Sequence, residues 1–314
     1  MRGQSRRERI RTEDVMPFPQ STMTTQRGEF RRIHRALQRK PELAARTPVF
    51  FCEGDSWFST PLAMNLLDWL VYPTPEDEER GVPQFGAGGL FFRNERSGDL
   101  ALDIFSPRRI DDLADWYEGF DFDLVLVSAG GNDFVGAFLG ELFQGQGPMT
   151  PAQAFARVQR SRRFEEVRGA YQRFLRAFRR IRPDTPILAH TYDYPQRMGQ
   201  PGQLTLANLG AAALLRDRVG PWIAPHVAAA LPQATQQREF AAMLIDGFVG
   251  QVLSPLAERT EFAGVFRFVD LRGTLRRTDQ WFDEMHPTGA GFHALSLKLR
   301  HAANALLPPA KRRA

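Results

Sequence analysis

A single cysteine, Cys52, stands in the 314 residues, so no intrachain disulfide can form and nothing points to a small secreted disulfide-rich protein. Nowhere do about 18 apolar residues run uninterrupted, the length that spans a bilayer core. The first residues, Met1 to Phe18, are rich in arginine and lack the apolar stretch of a secretory signal. These absences place the chain in the cytoplasm as an expectation, with a signal-free export route left open. Internal repeats are missing too. His190, His226, His293 and His301 have no spacing suited to a metal ion, so neither metal nor cofactor is expected.

What is present is an ordinary globular balance, 43% hydrophobic and 25% charged, which argues against general disorder. The net charge of +5 is unevenly placed. Residues 1–46 hold 12 basic against 5 acidic side chains, leaving 29 against 31 in the rest. The basic excess therefore belongs to the N-terminal segment. A solvated leader and a solvent-facing helix account for it; an arm touching anionic membrane is the alternative, and nucleic acid is the less favoured partner. We expect a flexible basic leader over 1–28, a basic amphipathic helix over 29–46, one catalytic domain over 47–308 and a short basic tail over 309–314.

Within the domain, short apolar runs rich in strand formers recur: Val49 to Cys52, Leu90 to Phe92, Leu124 to Ser128, Ile187 to His190 and Val265 to Val269. Several are apolar on both faces, as parallel strands covered by helices are. Helical spacing fills the intervals: Leu62 to Leu70, Ile110 to Tyr117, one long stretch from Ala152 to Ile181, Leu204 to Arg218, Arg238 to Leu256 and Gly289 to Leu307. Alternating strands and helices predict an α/β domain around a parallel sheet of about five strands.

Four segments carry chemistry. Gly54-Asp55-Ser56 follows the first strand and opens a helix, which offers Ser56 a backbone N–H for a developing oxyanion; Asp55 reads as a turn or N-cap residue. Ser97-Gly98-Asp99 follows the second strand, and Gly130-Gly131-Asn132-Asp133 follows the third. A glycine lets a backbone N–H approach a ligand, and an asparagine supplies an amide donor of fixed charge. Each segment also reads as a plain turn or helix cap, and Gly86 to Gly89 offers rival glycines. Near the end lies Asp283-Glu284-Met285-His286-Pro287. A neutral histidine can take a serine proton and return it to a leaving group, and a carboxylate three residues earlier can fix its tautomer.

The joint order of these blocks resembles the SGNH (GDSL) hydrolase family. The four residues that name the family map onto Ser56, Gly98, Asn132 and His286, with Asp283 as the acid. The resemblance covers about Pro48 to Leu307 and departs at Trp57, where a leucine is usual. It implies a flavodoxin-like three-layer α/β/α domain that cleaves esters through an acyl-enzyme, without a metal. Ser56 would be the nucleophile, with His286 and Asp283 completing the triad. The Ser56 and Gly98 N–H groups and the Asn132 side chain would form the oxyanion hole.

Trp57, Phe58, Phe134 and Phe138 are candidates for an apolar acyl pocket, or else for helix core, and Tyr192 for a substrate contact at the end of the fourth strand. The substrate is expected to be an ester, of an acyl lipid or an acetylated sugar. An acyltransferase on the same scaffold and a non-catalytic binding protein using its basic arm are the rival functions.

Overall fold

The computed structural model describes residues 20–60, 63–200, 202 and 220–313. Among the described residues six strands, β1 (Thr22–Thr24), β2 (Val49–Gly54), β3 (Leu90–Arg93), β4 (Leu124–Ser128), β5 (Ile187–His190) and β6 (Phe266–Val269), form one sheet in the order β1-β3-β2-β4-β5-β6. Every neighbouring pair is parallel. All residues of β2, β3, β4 and β5 are buried, which is why their sequences run apolar without alternation.

The register decides which aromatic rings meet. Phe50 pairs with Phe91 and Phe51 with Phe92, and because successive strand residues point to opposite faces, the two pairs feed different layers. Phe50 stacks on Phe91 at 4.3 Å between centroids. Phe51 meets Tyr117 and Phe178 on the flanking helices Pro107–Glu118 and Arg163–Ile181. The amphipathic helix Arg27–Gln38 closes the same layer, its Phe30 lying 4.7 Å from Phe92. The result is a three-layer α/β/α sandwich.

The differences from expectation have local causes. The sheet has a sixth strand, because Thr22–Thr24, expected as leader, pairs with Leu90 to Phe92 at the edge; three residues are too short to signal a strand. The N-terminal helix starts at Arg27 and stops at Gln38, and a separate turn of helix, Pro41–Ala44, follows. The long helical stretch is two helices, Pro151–Arg160 and Arg163–Ile181, parted by Arg162 in the left-handed conformation at φ 65°. Of the expected helix Leu62 to Leu70, the described residues from 63 on hold the short helix Asp68–Val71.

Expected tail residues fold back: Lys311 holds the Asp123 carboxylate at 2.7 Å, and Arg313 bonds Asp77. Residues 1–19 of the leader and the expected helix Leu204 to Arg218 lie outside the described residues. Among the described residues one continuous helical segment, Ala234–Ala257, is long and apolar enough to cross a membrane, and half of it is buried within the protein.

Candidate active site

The five strands β3-β2-β4-β5-β6 have the doubly wound order in which the chain leaves the central strand to one side and then crosses to the other. The crevice of such a sheet opens at the carboxyl ends of the two strands flanking the switch, here β2 and β4. Asp55 and Ser56 follow β2, and Gly130 to Asp133 follow β4. Gly54 faces Ser128 across that junction; a Cβ at Gly54 would lie 2.4 Å from the Ser128 carbonyl oxygen, so only glycine lets the two strand ends close.

Ser56 is the first residue of the short helix Ser56–Ser59, and Asp55 is its N-cap, accepting from the Trp57 N–H at 3.0 Å. The Asp55 carboxylate also accepts from Ser128 Oγ at 2.8 Å and from the Tyr192 hydroxyl. Burial raises the Asp55 pKa; the Tyr192, Trp57 and Ser128 donors act against that rise. Asp55 is thus the anchor on which the Ser56 turn is built.

His286 lies in line with Ser56. Its Nε2 is 2.8 Å from Ser56 Oγ, and its Nδ1 is 2.9 and 3.0 Å from the Asp283 oxygens. Asp283 also accepts from the Met285 and His286 backbone N–H groups, each at 2.7 Å, so the loop turns around its own carboxylate. Burial disfavours a charged imidazole, but the Asp283 carboxylate outweighs it, with a further contribution from Asp55. His286 therefore titrates above its ordinary value. Burial likewise opposes the charge on Asp283, and there His286 and the loop amides win, leaving Asp283 below the usual carboxylate range. Trp57 Nε1 donates to the Met285 carbonyl at 3.0 Å and ties the serine's helix to the histidine loop.

Gly98 and Asn132 line the same cleft as Ser56 and His286, a space of about 590 Å³. Gly98 sits at φ 87°, a conformation that favours glycine. Asn132 Nδ2 donates to the Asp99 carbonyl at 3.0 Å, which leaves its second amide hydrogen free of that bond and fixes the side chain. Asp133 does not cap its own turn. Its carboxylate accepts from the Ala101 and Leu102 N–H groups at 2.7 and 3.2 Å, and so fastens the Gly98 loop to the Asn132 loop. Burial pushes its pKa up to about 7 against the pull of those amides.

The five apolar and aromatic candidates separate. Phe138 lines the cleft beside Ser56. Trp57, Phe134 and Tyr192 line a smaller apolar chamber of about 60 Å³, and Tyr192 directs its hydroxyl to Asp55. Phe58 is fully buried against His190 and lines neither space.

Sequence reasoning missed Glu284. Its buried carboxylate accepts from the backbone N–H groups of Gly199 (2.6 Å), Trp222 (2.6 Å), Ile223 (2.7 Å) and Ala224 (3.2 Å). Its place inside the Asp-x-x-His block was the available signal. Among the described residues no group of three or more His, Cys, Asp or Glu side chains is disposed to hold a metal ion.

No family model matches the chain, and no curated protein matches it in sequence. Solved structures do. A lipase from a goat rumen metagenome is 14% identical, with 82% of this chain and 97% of that one covered and a TM-score of 0.50. An extracellular lipase from Streptomyces rimosus is 14% identical over 83% of this chain and all of that one, with a TM-score of 0.48. A Clostridium thermocellum family 3 carbohydrate esterase is 12% identical over 83% and 97%, with a TM-score of 0.43. The likeness to the goat rumen lipase is one of fold, that of an α/β/α sandwich around a parallel sheet.

Proposed function

We propose that the protein is a serine ester hydrolase that works through an acyl-enzyme. The observation that carries this reading is the unbroken series from Ser56 Oγ to His286 Nε2 at 2.8 Å and from His286 Nδ1 to Asp283 at 2.9 Å, at the switch point of the sheet. In this reading Ser56 Oγ attacks the ester carbonyl as His286 Nε2 takes its proton. The Ser56 and Gly98 N–H groups and the Asn132 amide receive the oxyanion, and Asp283 stabilises the imidazolium. His286 then protonates the departing alcohol. Water, deprotonated by the same nitrogen, attacks the acyl-enzyme and releases the acid.

The test is covalent labelling with a fluorophosphonate alongside hydrolysis of 4-nitrophenyl acetate. Wild type should take one equivalent of label and release nitrophenol. Ser56→Ala should do neither, and a Ser56→Ala protein that still hydrolyses the ester removes Ser56 from the mechanism.

A further inference from the structure

Among the described residues, two hydrogen bonds join the Ser56–Ser59 helix to the loop from Asp283 to His286. One links Ser56 Oγ and His286 Nε2 at 2.8 Å, and the other runs from Trp57 Nε1 to the Met285 carbonyl at 3.0 Å. They form a pair, since Ser56 and Trp57 are consecutive and so are Met285 and His286. In the proposed reaction their fates differ.

The Ser56–His286 bond lasts only while the serine keeps its hydroxyl. Once Ser56 Oγ carries an acyl group it has no proton to give, and that link to the imidazole is lost. Yet His286 Nε2 must then stand within reach of the water that it deprotonates. Asp283 cannot fix that distance, because its bonds to the Met285 N–H, the His286 N–H and the imidazole all close within the loop itself. Glu284 ties the loop to Gly199, Trp222, Ile223 and Ala224, not to the serine's helix. The Trp57 bond is the one of the pair that survives acylation.

Both ends of that bond are held. The indole is 2% exposed; it stacks on His190 at 5.6 Å and meets Tyr192 and Phe292 edge-on at 5.0 and 5.6 Å, so its N–H points one way. The peptide unit between Met285 and His286 gives its carbonyl to Trp57 and its N–H to Asp283 at 2.7 Å. The backbone of His286 is thereby set against the helix that starts at Ser56. A leucine in place of Trp57 has no donor for this contact.

We infer that Trp57 is a positioning residue for deacylation, holding His286 in place through the Met285 carbonyl while Ser56 carries the acyl group. This rests on the ester-hydrolase reading. In that half-reaction His286 Nε2 takes a proton from water as the water oxygen bonds to the acyl carbon, and the proton passes to Ser56 Oγ as its bond to that carbon breaks. Trp57 exchanges no atom. Acylation starts with Ser56 already bonded to His286, so it depends on Trp57 less.

The experiment uses the full chain and 4-nitrophenyl acetate. Nitrophenol released in a single turnover, with enzyme in excess, reads acylation, and decay of the acetyl-enzyme in rapid-quench mass spectrometry reads deacylation. Trp57→Phe should slow deacylation by about 10-fold, the worth of one good hydrogen bond, while acylation holds. Acetyl-enzyme then accumulates, and kcat and KM fall together with kcat/KM kept. The benzothiophene analogue of Trp57, which keeps the fused rings and exchanges only the N–H for sulfur, should do the same and covers a Trp57→Phe protein that fails to fold.

Equal slowing of both steps would mark Trp57 as general packing, and unchanged deacylation would leave its hydrogen bond without a part in turnover. Either result overturns this inference while Ser56-dependent hydrolysis stands. If Ser56→Ala hydrolyses the ester as wild type does, the parent reading falls and this one with it.

Discussion

At the scale of single residues, the hydrogen-bonded series from Ser56 through His286 to Asp283 sets two expectations if the proposed ester-hydrolase reading holds. His286 must be neutral to take the serine proton, and its pKa lies above the ordinary histidine value because Asp283 outweighs burial. Activity should therefore rise with pH through a midpoint above the usual imidazole range. Asp283→Asn removes the raising charge, so the limb should move to lower pH while kcat falls by about 10⁴; an unmoved limb in the pH–rate profile denies the pair its role. Asn132→Ala should cost about 10² to 10³ in kcat with little change in KM, read from steady-state kinetics. These residues were legible in the sequence because each sits in a block bounded by a recognisable strand or helix. Tyr192 was legible only as a polar residue at a strand end. Its partner Asp55 is 137 residues away, and only the sheet order makes them neighbours. Tyr192→Phe should strip a buried carboxylate of a donor and destabilise by roughly 1–3 kcal/mol in chemical denaturation.

At the scale of elements, the strands were readable since burial on both faces leaves a run of apolar residues with no other explanation. What escaped depends on single backbone angles or on distant partners. The break between the helices Pro151–Arg160 and Arg163–Ile181 rests on Arg162 at φ 65°, and no glycine or proline marks it. β1 exists because Gly89 and Leu90 present an open sheet edge to Thr22, a property of the partner strand rather than of Thr-Met-Thr. The Glu284 clamp is of the same kind. One carboxylate from the histidine loop gathers four amides of the segment that carries Trp222, so the loop and the cleft wall form one unit. Glu284→Ala would orphan those buried amides at once. We expect a loss on the order of 3–5 kcal/mol, as for a broken buried charge interaction, read by chemical denaturation. An unchanged unfolding free energy would mean that the clamp is decorative.

At the scale of the whole molecule, a parallel sheet with its centre buried on both sides forces any acid in a central strand into a dry setting. Glu53 is that residue: it lies in β2, fully buried, with Arg109 at 3.2 Å. Burial exceeds the help from Arg109 and pushes its pKa up to about 8, far above the value of an unfolded chain. The folded state then binds a proton that the unfolded state has lost, and the sign follows. Stability from this group is complete below the unfolded glutamate value and drains away as pH climbs through about 8. Asp77 acts at the other end. Burial opposes its charge, yet bonds from Arg313 and Thr74, with Arg300 nearby, hold it at about 2, so its contribution is present at neutral pH and lost in strong acid. Unfolding free energy measured by denaturant should therefore fall from pH 5 to pH 8.5, by something on the order of 2–4 kcal/mol from Glu53 alone. Asp133 and His286 also favour the protonated folded state and remain in any Glu53 variant, so the difference between proteins isolates the one group. Glu53→Gln keeps the shape and removes the titration. Its stability should change less over that interval, and an identical slope in both proteins would mean that Glu53 stays ionised beside Arg109 in the heart of the sheet.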